Sequence, residues 1–186
     1  MELYMGIIKP PPYAYPFFAV MYKDKKDYRV ILEHLAERYG KVLASGNEYK
    51  VVDFTDYYLK EFGDSLNKRF VVMENEICLE NFHKVKIWTN ELEMNLYPGD
   101  SRGIRVANID PGYLEPSKLV LYSTKNFSHR IYVGNGIFAE VTLIYEHGDF
   151  KFLPWTYPDY MWQPNVDFLK SVRANIVVLN RKKKAT

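Results

Sequence analysis

The chain has 186 residues, 47% of them hydrophobic and 26% charged, a balance that fits one folded domain and excludes a disordered segment. The formal net charge is +2, and Arg181, Lys182, Lys183 and Lys184 carry four of the positive charges, so the rest sits at −2 and lacks the charge of a dedicated nucleic-acid binder. A lone cysteine, Cys78, excludes an intrachain disulfide and a cysteine-built zinc site.

The sequence holds no run of about 18 apolar residues, the length needed to span a membrane. The first residues, Met1-Glu-Leu-Tyr-Met-Gly-Ile-Ile, lack the charged start and long apolar core of a signal peptide, so a cytoplasmic protein is expected. Residues 1–16 are expected to form a proline-rich arm, because Pro10, Pro11, Pro12 and Pro16 fix φ and cannot donate to a sheet. Phe17–Tyr22 is a continuous apolar run and predicts a buried central strand.

Asp24 can cap the helix that follows. Tyr28, Ile31, Leu32, Leu35 and Tyr39 recur at helical spacing, and Gly40 stands where a C-terminal cap belongs. Tyr49–Lys60 and Asn67–Glu74 suggest two strands around Gly63-Asp64, although the polar Asp53–Lys60 part also fits a loop or a short helix. A second helix is expected from about Cys78 to Leu96, with the stripe Phe82, Val85, Trp88 or Thr89, Leu92 and Leu96, and Pro98-Gly99 as its stop. Ile104–Ile109 is the next apolar strand.

This order predicts an α+β protein. Residues 17–109 would form a ferredoxin-like βαββαβ antiparallel sheet with both helices on one face. Residues 110–175 would add a helix, a β-meander and an aromatic loop to the same domain, and 176–186 would be a solvated basic tail. The helix is placed from Glu115-Pro116-Ser117 to about Ser123, though Lys118–Tyr122 fits a strand equally. In the meander, His129–Val133 and Ile137–Tyr145 flank Asn135-Gly136, a strong hairpin signal, and Gly148-Asp149 turns into Phe150–Leu153. Pro154–Tyr160 is the aromatic loop, and Val166–Arg173 a last helix.

Groups suited to chemistry concentrate between Asn108 and Leu143. Pairing Gly134 with Ile137 puts Ile131 opposite Glu140 and His129 opposite Thr142. His129 and Glu140 then share a face as diagonal neighbours, while Arg130 lies on the other. A carboxylate against an imidazole suits proton transfer, and an ordinary cross-strand polar pair is the simpler reading. Lys118, Ser123, Thr124, Lys125, His129 and Arg130 mix cations with hydroxyls around one turn, as a phosphate requires, without any glycine-rich cradle. Asp110-Pro111-Gly112 has the chemistry of a turn and would deliver Asp110 to the end of a buried strand. Trp155 and Tyr157 can stack a ring or simply strap the core edge. Lys86, Asn90 and Glu93 are expected on the exposed side of the second helix.

At Asp53–Tyr58, Thr89–Leu92, Asn108–Tyr113, Lys118–Leu121, Ser123–Lys125, His129–Tyr132, Gly136–Leu143 and Pro154–Tyr160 the chain resembles the bacterial domain-of-unknown-function family 4416. The resemblance runs from about Phe17 over nearly the whole chain and implies a stand-alone bacterial cytosolic protein. It brings no reaction.

The residues themselves favour a protein that binds, and can act on, a phosphate-bearing ligand such as a nucleotide. Lys118, Ser123, Lys125 and Arg130 would hold the anion, Trp155 and Tyr157 the ring. His129 with Glu140 would handle protons, and Asp110 would position a group or a Mg²⁺ ion. The rivals are a non-enzymatic RNA-binding module and a structural protein that meets a partner through its aromatic surface.

Overall fold

A computed structural model describes residues 6–97 and 105–184, so the Pro98-Gly99 helix stop and Ile104 lie outside the described residues. In chain order the elements are β1 (Tyr13–Tyr22), α1 (Lys25–Tyr39), β2 (Val42–Ser45), β3 (Tyr49–Lys50), α2 (Leu59–Phe62), β4 (Asn67–Met73), β5 (Ile77–Cys78) and α3 (His83–Leu96). There follow β6 (Ala107–Glu115), β7 (Lys118–Ser123), β8 (Ile131–Gly134), β9 (Ile137–Glu146), β10 (Asp149–Phe152) and α4 (Gln163–Lys184).

The strands make one ten-stranded sheet in the order β10-β9-β7-β6-β1-β4-β2, with β3 on β4, β5 on β1 and β8 on β9. Every pairing is antiparallel. The protein is therefore α+β, but its sheet order is not that of a four-stranded ferredoxin-like sheet. The expected meander does not stand apart: Pro116-Ser117 turns β6 straight into β7 and fuses it to the sheet. Lys118–Ser123 is accordingly a strand and not a helix.

β1 lies between β6 and β4, which is why its apolar run is buried on both faces. Phe18, Val20 and Tyr22 meet Tyr28, Ile31 and Leu35 of α1 and Val85 and Leu92 of α3 on one side. Phe17 and Ala19 meet Leu169, Val172 and Ile176 of α4 on the other. The period of two along the strand thus sorts side chains between two helix layers. Pro16 falls inside β1, so the arm ends at Pro12. It sits between Ala14, the last residue paired with β5, and Phe17, the first paired with β4, where its missing N–H costs no ladder bond.

Asp53–Lys60 forms no strand. Val51–Asp53 is a 3₁₀ turn and α2 begins at Leu59, with Asp53 and Asp56 both exposed. α3 starts five residues later than expected, since Ile77–Cys78 pairs with β1 and Leu79–Asn81 is a 3₁₀ turn. The largest correction is at the C-terminus, where the expected tail is helix as far as Lys184. Ile176 is fully buried, Leu179 packs on the core and Lys183 Nζ reaches Glu76 at 2.6 Å. Its apolar positions continue the stripe of the last helix, and packing overrides the charge run. Among the described residues no helix is long and apolar enough to cross a membrane.

Candidate functional site

The site originates in an interrupted pairing. β6 stays on β1 from Leu114 back to Ala107, but its pairing with β7 stops at Gly112 opposite Leu121. β7 meanwhile stays on β9 as far as Ser123 opposite Phe138. The sheet opens between Ala107–Pro111 and Tyr122–Ser123, and a cavity of about 980 Å³ fills the opening. Asp110-Pro111-Gly112 is thus no turn. It is the stretch of β6 that breaks contact with β7. Pro111 has no N–H to offer a partner on that side, and Gly112 permits the last close approach.

A strand that loses its neighbour must find other partners for its backbone. α3 supplies them. Lys86 Nζ donates to the Ile109 carbonyl at 3.0 Å, and Glu93 Oε1 accepts from the Ile109 N–H at 2.7 Å. Lys86 and Glu93 are buried and Asn90 is half-buried at the cavity, which overturns their expected exposure, while Thr89, fully buried, fills the stripe position it shared with Trp88. Two ionic side chains, seven residues apart on one helix face, stand in for the missing strand.

Lys86 also donates to Asp110 Oδ1 at 3.2 Å, and Asn108 Nδ2 donates to Asp110 Oδ2 at 2.9 Å. Burial alone would raise the Asp110 pKa, but Lys86 and Lys68 outweigh it and hold the carboxyl below its usual value. Asp110 is ionised yet still partly open to the cavity. Glu93 goes the other way, because burial outweighs Lys86, the Ile109 N–H and Arg105. Arg105 donates to Glu93 and, at 3.2 Å, to Asn108 Oδ1.

The floor is built from β4 and the aromatic loop. Lys68 Nζ donates to Asp159 Oδ2 at 2.7 Å, and Tyr49 donates to the same oxygen at 2.6 Å. Lys68 alternates with Phe70 and Val72 along β4, so it points into this layer as they do. Burial, then the charge of Asp110, pushes the Tyr58 hydroxyl well above its usual range.

The opposite wall turns on Glu140, which is almost fully buried. Its Oε2 meets His129 Nε2 at 3.0 Å and accepts from Arg130 Nε at 2.6 Å. Arg130 spends its other donors on Ser123 Oγ at 3.0 Å, the Lys125 carbonyl at 2.9 Å and the Tyr157 hydroxyl at 2.7 Å. Lys125 N–H donates to Ser123 Oγ at 3.1 Å, and Lys125 Nζ to the Tyr57 hydroxyl at 2.5 Å. Burial, then Glu140, raises the Tyr157 hydroxyl to about 12 against the pull of Arg130.

The expected register was wrong by one residue. Gly134 does face Ile137 across a turn whose Asn135 and Gly136 both have positive φ. An irregularity between Tyr132 and Gly134 then sets Ile131 opposite Ala139 instead of Glu140. His129 and Arg130 precede the strand, so alternation does not separate them and both reach Glu140.

Asp110, Ser123, Lys125, Arg130, Glu140 and Tyr157 line the cavity together. Three expected site residues do not. Lys118 is held by Glu115 at 2.8 Å, at the other end of β7. His129 is stacked between Phe127 at 6.0 Å and Trp155 at 5.1 Å, behind Glu140. Trp155 straps β9 through Nε1 to the Val141 carbonyl at 2.8 Å. Among the described residues, no group of three or more His, Cys, Asp or Glu is arranged to hold a metal ion. Lys68, Tyr49, Tyr58, Arg105 and Asn108 were not foreseen. The available signal was Lys68, a charge alternating with core residues in an apolar strand.

A family model described as a domain of unknown function (DUF4416) matches residues 12–175. No curated protein and no solved structure matches the chain.

Proposed function

The chain belongs to the DUF4416 family, a domain of unknown function, and we propose that its cavity binds a small phosphate-bearing ligand such as a nucleotide. The volume of about 980 Å³ suits a ligand of that size.

One observation carries the reading. The hydroxyls of Ser123, Tyr57 and Tyr157 each accept from Lys125 or Arg130, and among the described residues none donates onward. Their protons are left for an anion. The other lining cations are matched: Lys68 with Asp159, Lys86 with Asp110, Arg105 with Glu61 and Glu93, and Arg130 with Glu140. Lys125 alone has no carboxylate within 4.0 Å among the described residues, so it supplies the unspent charge. A phosphate group therefore fits at the Lys125 rim.

Toward the floor, ionised Asp110 with Asn90 and Asn108 offers acceptors and amides to a sugar hydroxyl or a ring amine. Tyr58 and Tyr157 offer ring faces. In this reading Arg130, His129 and Glu140 position the rim, and Arg130 holds the hydroxyls in place of gripping the ligand. The strand order β6-β1-β4-β2 supports a ferredoxin-like core within the larger sheet. A cytoplasmic setting in bacteria, where such ligands abound, belongs to the same proposal.

Calorimetric titration of the wild type and Lys125→Ala with AMP, ATP and ribose 5-phosphate tests it. Losing a charged hydrogen bond is expected to weaken binding about tenfold or more. Equal affinity in the two proteins would refute the assignment.

A further inference from the structure

On the α1 face of the sheet a second pocket, of about 390 Å³, is lined by Lys25, Tyr28, Arg29, Glu48 and Arg69, none of which lines the large cavity. Lys68 and Arg69 are successive residues of β4, so one faces the large cavity and the other this pocket. Three cations stand here against a single lining carboxylate, and that carboxylate is already engaged. Glu48 Oε2 accepts from the Tyr22 hydroxyl at 2.6 Å.

Arg69 is the unusual member. Its side chain is 29% exposed, and its nearest acid contact is Nη2 to Glu48 Oε2 at 3.6 Å, too long for a hydrogen bond. Its Nε is buried without a partner. Among the described residues the guanidinium makes no hydrogen bond at all, although it has five N–H donors to place. It is nevertheless held in position, lying 5.2 Å over the Tyr28 ring. A guanidinium held in place, with outer N–H groups that no acceptor among the described residues takes, beside two further cations, is the arrangement that binds a tetrahedral oxyanion.

We propose that Arg69, Arg29 and Lys25 form a phosphate site separate from the large cavity. The ion, free or as the terminal group of a phosphomonoester, takes the outer Nη–H groups of Arg69 as a fork, since Nε itself is buried behind them. Exposed Arg29 and Lys25 close over it from the first turns of α1. This site does not depend on what the large cavity binds.

The test is an NMR titration of the full-length ¹⁵N-labelled protein with inorganic phosphate and with methyl phosphate at constant ionic strength. The Arg69 Nε–H signal, assigned by its loss in Arg69→Lys, is expected to shift saturably with at least one of the two probes. The tighter probe tells a free ion from a phosphomonoester. Arg29→Gln, an exposed position where folding is not at stake, is expected to weaken that response several-fold, and Lys125→Ala to leave it unchanged. A linear, unsaturated shift, an equal shift with chloride, indifference to Arg29→Gln, or loss of the response in Lys125→Ala would each overturn the proposal.

Discussion

Glu140→Ala is expected to destabilise the protein by about 3–5 kcal/mol, the usual cost of breaking a buried ion pair from one side. The Glu140 and Arg130 side chains are 2% and 4% exposed, so removing the carboxylate strands a guanidinium in a site that water barely reaches. Thr142 and His129 lose a partner as well. The effect should spread, because Arg130 ties Ser123, the Lys125 carbonyl and Tyr157 into one rim. Urea unfolding of the wild type and variant measures it. Lys118→Ala is the control: its pair with Glu115 lies at the surface, the Lys118 side chain 34% exposed, and its loss should cost about 1 kcal/mol or less. A Glu140→Ala cost as small as the control's would remove Glu140 from the centre of the wall.

Gly112→Ala is the second large effect. A Cβ at this position would lie 2.2 Å from the Val120 carbonyl oxygen and 2.8 Å from a Leu121 methyl. Leu121 can rotate, but the carbonyl belongs to the backbone of β7, so the two strands must separate. Overpacking of this kind costs about 1–3 kcal/mol, and a rigid strand neighbour favours the upper end. The damage falls at the last β6–β7 pair before the sheet opens, so the cavity should widen with it. Gly46→Ala is the comparison, since its Cβ would meet the Phe168 ring at an ordinary 3.4 Å. Urea unfolding should show the first variant clearly weakened and the second near wild type. Two equal variants would mean that Gly112 is not where the strands are pinned.

Features set by neighbouring residues were legible in the sequence. α1 followed from Tyr28, Ile31, Leu35 and Tyr39 with Gly40 after them, and the β8–β9 turn from Asn135-Gly136. Both rest on backbone geometry and short-range periodicity. The cavity does not. Asp110-Pro111-Gly112 has every local mark of a turn, and only the long-range pairing of β1 with β6 makes it strand. Lys86 and Glu93 look solvated on a helical wheel, because nothing local reveals that Ile109 lacks a strand on one side. The register slip at Tyr132–Gly134 is one residue long, and one residue is enough to change which side chains face Glu140. Several cavity residues were nonetheless found by composition alone. Ser123, Lys125, Arg130 and Glu140 lie close in sequence around one hairpin, and that closeness survives errors in register.

The most direct measurement is a thermal-shift panel on the wild-type protein with AMP, ATP, ribose 5-phosphate, inorganic phosphate and a short RNA, each with and without Mg²⁺. A ligand at about a hundred times its dissociation constant adds roughly 2.7 kcal/mol, which is readily visible. The expected result is stabilisation by at least one phosphate-bearing organic compound, diminished in Lys125→Ala. A flat response to all of them, or a response to inorganic phosphate alone that Lys125→Ala leaves intact, would contradict a phosphate-ligand site in the cavity.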